Sequence, residues 1–151
     1  YDVALMSKTS GAIGRKIVKT SSESVIEVDI SGFNKARTYY VLYSDDGQTI
    51  ESENIPISQT LTKEQKAKWY NYNNKRWANI KTVSEDGSLT AYWTYIPRYE
   101  YVANSGAQAV DIKFIPKTQV KADVGYEIPE SFTFGGQNLA GFWSSKYEIS
   151  E

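Results

Sequence analysis

Sixteen of the chain's 21 aromatic residues lie after Thr62, all four tryptophans among them, in a sequence with neither Cys nor His. They come in phrases: WYNYNNKRWANIKTV over 69–83, AYWTYIPRYEY over 91–101, VDIKFIP over 110–116 and GFWSSKYEIS over 141–150. Without cysteine there is no disulfide framework, so the fold must rest on packing or on assembly. Without His and Cys the chain also lacks the usual general base, the usual nucleophile and the two commonest transition-metal ligands. Rich in contact surface and poor in reactive groups, it reads as a non-enzymatic binding or structural protein, with no cofactor and no metal.

The 151 residues suit one ordinary domain or two small ones. With 17 basic and 18 acidic residues, the chain has no field to recruit nucleic acid or an anionic membrane. One local exception runs from Lys63 to Lys81, where Lys63, Lys66, Lys68, Lys75, Arg76 and Lys81 face Glu64 alone. Trp69, Tyr70, Tyr72 and Trp77, interleaved with those charges, resemble a single-strand nucleic-acid platform. A solvated helix face with an aromatic inner face is the plainer reading, and we prefer it. No apolar stretch approaches the ~20 residues that span a bilayer.

The pattern is mainly β with one short helix. In residues 1–60, Ile26, Val28 and Ile30 alternate with Glu27, Asp29 and Ser31, and Tyr39–Tyr43 forms a further strand. Asp45-Asp46-Gly47 supplies a hairpin turn, Thr49–Glu53 the return strand, and Pro56 the end of pairing. This spacing predicts an antiparallel sandwich of the immunoglobulin or fibronectin type III kind over 1–60. Ile57–Thr60 reads as a linker, followed by a second, aromatic-rich α+β domain over 61–151. Thr62 and Gln65 match a helix capping box, which predicts a helix from Lys63 to about Tyr72, ended by Asn71, Asn73 and Asn74. Farther on, Val110, Ile112 and Phe114 alternate with Asp111 and Lys113 on a strand.

Glu100, Asp111, Glu127 and Glu148 are the carboxylates from which a glycosidase pair would be drawn, and nothing in their spacing forces one. The acidic turns Asp45-Asp46-Gly47 and Glu85-Asp86-Gly87-Ser88 do not match the twelve-residue EF-hand loop, and turn formation explains them. The aromatics are the stronger candidates. Tyr92, Tyr95, Tyr99 and Tyr101 form a candidate binding platform, with core packing as the alternative for each ring. An uninterrupted strand would place Trp93, Tyr95, Tyr99 and Tyr101 on one face and Tyr92 on the other, unless Pro97 shifts the register. At the end of the chain, Trp143, Tyr147 and Ile149 share a strand face that no later residue covers. That makes them a candidate assembly edge and predicts an oligomer.

Taken in order, the four phrases resemble a family of phage and prophage proteins of Gram-positive bacteria that serve as tail, adhesin-like or minor structural components. The likeness spans Trp69 to Ser150. In that family the last phrase leads into a domain similar to the formylglycine-generating-enzyme branch of the C-type lectin fold, and immunoglobulin-like or other β modules often stand upstream. The resemblance implies that 61–151 opens a C-type-lectin-like domain, and that a continuation would follow Glu151. It implies a virion location, in a tail or baseplate fibre or as a capsid-surface decoration, presenting a β-rich module for host attachment. The implied partners are other virion proteins, further copies of the chain, or a host cell-surface glycan. The alternative is a secreted bacterial adhesin or carbohydrate-binding module at the cell surface. Enzymatic members of that fold depend on cysteines, so their oxidase activity does not carry over.

Overall fold

The computed structural model describes residues 16–21, 26–104 and 109–148. In chain order the strands are β1 (Lys16–Ser21), β2 (Thr38–Tyr43), β3 (Thr49–Pro56), β4 (Asn79–Val83), β5 (Thr90–Pro97), β6 (Tyr99–Asn104), β7 (Ala109–Phe114), β8 (Thr133–Phe134), β9 (Gln137–Asn138) and β10 (Gly141–Ser145). Helix α1 (Lys63–Trp69) lies between β3 and β4. The protein is mainly β, with α1 the one α-helix among the described residues. Its contacts divide it into two compact units, one made of Tyr1–Glu27 with Pro97–Gly141, the other of Val28–Ile96 with Phe142–Glu151.

The first unit holds a three-stranded sheet in the order β1-β7-β6, with β6 antiparallel and β1 parallel to β7. The expected alternation on β7 is present: Val110, Ile112 and Phe114 are buried, and Asp111 and Lys113 are only partly so. Phe132 is fully buried and packs edge-on against Tyr99 at 5.1 Å. Gly135 and Gly136 turn β8 into β9, both at positive φ (58° and 76°), a geometry that costs glycine nothing.

The second unit is a five-stranded sheet in the order β10-β5-β4-β2-β3. Tyr40, Ile80 and Trp93 stand in register across β2, β4 and β5, and so mark one face. Leu42, Ile55, Ile57, Leu61, Trp69, Ala78 and Tyr95 complete the buried cluster, and Trp93 and Trp143 pack against it. The opposite face carries Tyr39, Lys81 and Tyr92 in the same register.

These pairings move the expected domain boundary. β3 fills one edge of β2 and β4 the other, so strands from before and after residues 57–62 belong to one sheet. Ile57 and Leu61 are buried, which makes this stretch a packed connection rather than a linker. β1 meanwhile pairs with β7 within the first unit's sheet, so among the described residues 1–60 the β2–β3 hairpin is the one pair formed within that span. Alternation in sequence tells which residues face a core, but not which strand lies alongside.

Helix α1 begins as its sequence requires. Gln65 N donates to Thr62 Oγ1 at 3.2 Å, and Thr62 N donates to Gln65 Oε1 at 2.9 Å, which together satisfy two otherwise orphaned donors. The helix ends at Trp69, earlier than expected, and Tyr72–Asn74 form a separate 3₁₀ turn capped by the Asn71 side chain. Lys75, not an asparagine, takes the left-handed conformation, at φ 56°. Thr62→Ala is expected to lower the stability of this unit by about 1 kcal/mol. Chemical denaturation checks this, and Thr62→Ser should recover most of the loss.

Candidate aromatic cleft

A recess in the second unit lies where the β4–β5 hairpin meets the residues that follow β10. The hairpin turn is built from its own side chains. Asp86 Oδ1 accepts from Ser84 Oγ at 2.6 Å, Ser88 N at 3.0 Å and Ser88 Oγ at 2.7 Å. Gly87 supplies the positive φ, at 73°, and Ser84 N closes on Leu89 O at 2.9 Å. The closed turn leaves Leu89 with 72% of its surface exposed.

The other wall comes from the chain's last described residues. β10 lies against β5, and Lys146 N still donates to Tyr92 O at 2.9 Å just beyond the strand's end. A bend at Lys146–Tyr147 breaks the alternation there, and Ser145 Oγ donates to Tyr147 O at 2.6 Å. The Tyr147 ring meets Tyr92 edge-on at 5.8 Å and 86°, yet keeps 59% of its surface exposed. Between the two walls lies an open cleft of ≈ 780 Å³ lined by Leu89, Thr90, Tyr92, Tyr147 and Glu148, among others.

Hydrogen bonds to the Asp86 carboxylate, first from Ser84 and then from Ser88, hold its pKa well below the usual 3.8, at about 2. Because the folded value is the lower one, the turn's ionised form contributes stability above pH 3.8, and that contribution fades as pH falls toward 2. A carboxyl NMR titration of Asp86 should show a midpoint near 2, and Asp86→Asn should remove the pH dependence of the Ser88 amide shift. A midpoint at the ordinary carboxylate value would mean that the turn bonds do not form in solution.

The candidate tyrosines do not come together. Tyr92 lines the cleft, but Tyr95 is 1% exposed in the core of the second unit, 5.1 Å from the Trp143 ring. Tyr99 and Tyr101 belong to the first unit, where Tyr99 is buried against Phe132 and Tyr101 donates to Glu127 Oε2 at 3.2 Å. Pro97 ends β5 and β6 restarts at Tyr99, so the two halves of the aromatic phrase enter different sheets.

The candidate assembly edge also divides. Trp143 is covered from upstream, edge-on to Phe33 at 5.5 Å, with its Nε1 donating to Asp29 O at 2.7 Å. The bend after Ser145 takes Tyr147 to Tyr92 instead, and Ile149 lies outside the described residues. Leu89 and Thr90 were not legible as site residues. The one available signal was a leucine directly after a Ser-Glu-Asp-Gly-Ser turn, with no apolar neighbour in sequence.

Three of the four candidate carboxylates are held by structural partners in the first unit. Glu100 accepts from Lys113, Asp111 from Tyr126 and Glu127 from Tyr101. In the basic stretch, Lys63 and Lys66 face solvent while Trp69 and Tyr72 are buried, so those two rings offer no stacking surface. Among the described residues, no group of three or more acidic side chains is placed to hold a metal ion, and no helix is long and apolar enough to cross a membrane. No protein-family model, curated protein or solved structure matches this chain.

Proposed function

We propose that the protein is a non-enzymatic component of a bacteriophage particle, in a tail or baseplate fibre or on the capsid surface, that presents a β-rich module to the host surface. The observation that carries this reading is the cleft. Two large apolar side chains, Leu89 and Tyr147, stand mostly exposed just outside the ends of β5 and β10, in a chain without His or Cys. Exposed apolar groups on a rigid scaffold suit recognition. In finer fold terms we read the sheet of the second unit, to which three of the four aromatic phrases contribute strands, as part of a C-type-lectin-like domain. The order of the aromatic phrases supports this, as does the adjacency of β4, β5 and β10, which come from three of those phrases.

Immunogold electron microscopy of purified particles tests the assignment: label on the tail or capsid is the expected result, and absence of the protein from particles would sink it. The same cleft also favours a second reading, a secreted adhesin or carbohydrate-binding module. That reading predicts cell-surface label with none on particles.

A further inference from the structure

We infer that the cleft takes an uncharged, N-acetylated oligosaccharide, a proposal that rests on the surface-attachment reading above. Four features of the lining point to this chemistry. The Tyr147 ring is 59% exposed, with Tyr92 edge-on to it and Lys146 Nζ over it at 5.9 Å; the ring surface left open suits the C–H side of a pyranose. Leu89, on the hairpin wall, offers a second apolar contact of methyl size.

The third feature is the set of polar groups left for a ligand. The hydroxyls of Ser84 and Ser88 are engaged with Asp86 and serve as wall. Thr90, paired with Val83 through its backbone, and Glu148 are exposed, and neither side chain forms a hydrogen bond among the described residues. The Thr90 hydroxyl both donates and accepts, while the carboxylate of Glu148 only accepts, which suits sugar hydroxyls and an amide N–H.

Charge is the fourth. Glu148 is the one charged side chain on the described lining, and Lys146, close to it in sequence, holds its Nζ 5.9 Å from the centre of the Tyr147 ring. A phosphate, sulfate or uronate would enter beside the like charge of Glu148, while the Lys146 ammonium is turned to the Tyr147 ring. An acetamido group, by contrast, brings an N–H for Glu148 and a methyl for Leu89. The volume, ≈ 780 Å³, lies in the ordinary range for small-ligand sites.

The test is an NMR titration of the full chain with triacetylchitotriose, cellotriose and poly(glycerol phosphate). Triacetylchitotriose should shift amides of residues 88–92 and 145–148. Cellotriose, which lacks the acetamido groups, should bind about tenfold more weakly, a loss of ~1.4 kcal/mol, and the polyanion should leave those amides unmoved. Tyr147→Ala and Leu89→Ser should each weaken triacetylchitotriose binding about tenfold without changing the melting temperature, because both side chains are exposed. No shift with triacetylchitotriose, equal binding by Tyr147→Ala, or shifts at these amides with a Lys-rich peptide in its place would overturn the proposal. Particles that carry the protein and adhere through it, yet show no saccharide shift, would remove this inference and leave the attachment reading standing. Saccharide binding by a protein absent from particles would do the reverse.

Discussion

Trp69→Ala is expected to remove about 3–5 kcal/mol from the second unit, a large share of the 5–15 kcal/mol typical of a whole domain. Trp69 is 7% exposed at the last residue of α1, and it ties the helix to the sheet in two ways. Its ring sits edge-on to Tyr40 at 4.6 Å and to Tyr70 at 5.3 Å. Its Nε1 donates to Asn79 O at 2.8 Å, directly onto β4. Truncation would open a cavity between helix and sheet and remove the donor to a buried carbonyl. Trp69→Phe separates the two effects, since it keeps most of the apolar contact and loses only the hydrogen bond, for about 1–3 kcal/mol. Urea denaturation followed by fluorescence suits the measurement, because Trp77, Trp93 and Trp143 remain as reporters and all lie in the second unit. A midpoint for Trp69→Ala equal to the parent's would mean that α1 contributes nothing to holding this sheet.

Features set by neighbours in sequence were legible, and those set by distant partners were not. The capping box at Thr62 and Gln65, the two Asp-Gly turns and the alternation from Val110 to Phe114 each follow from a few consecutive residues, and each is present. The parallel pairing of β1 with β7 joins Lys16 to Ala109, and nothing local in either strand marks the other as its partner. Trp143 looked uncovered because its cover, the segment around Asp29, lies 114 residues upstream. The cleft was half legible. Tyr92, Tyr147 and Glu148 each stand out in the sequence, but for separate roles, and they share a site only because β10 lies beside β5. An alternation argument also assumes an unbroken strand, and it failed at Pro97 and at the bend after Ser145, where the backbone changes course.

Glu100→Ala is expected to destabilise the first unit by about 3 kcal/mol, the lower end of the cost of breaking a buried charge pair. Glu100 is fully shielded from solvent and satisfied on both oxygens: Oε1 accepts from Lys113 Nζ at 3.2 Å, and Oε2 from Gln119 Nε2 at 3.1 Å and Asp123 N at 2.8 Å. The lower end applies because Lys113 is partly exposed and keeps Asp123 at 2.6 Å. Arg98 has no such fallback. It is 1% exposed and forms no ion pair among the described residues, and its Nη1 and Nη2 donate to Phe132 O at 3.0 Å and Gln119 O at 3.1 Å. Arg98→Ala removes the donor to the partly buried Gln119 carbonyl, worth about 1–3 kcal/mol when left unmet, and one of two donors to Phe132 O, which keeps Leu139 N at 2.8 Å. Gln119 joins the two sites, since its side chain reaches Glu100 while its carbonyl receives Arg98. Once either anchor is gone, the loop through Gln119 has already loosened, so the double variant should cost at least 0.5 kcal/mol less than the sum of the singles. The first unit contains no tryptophan, so hydrogen exchange at the amides of β6 and β7 is the measurement to use, with tryptophan fluorescence as the control for the second unit. Strict additivity would show that the loop's two attachments are independent. Exchange in Glu100→Ala unchanged from the parent would show that the buried carboxylate does not hold the loop.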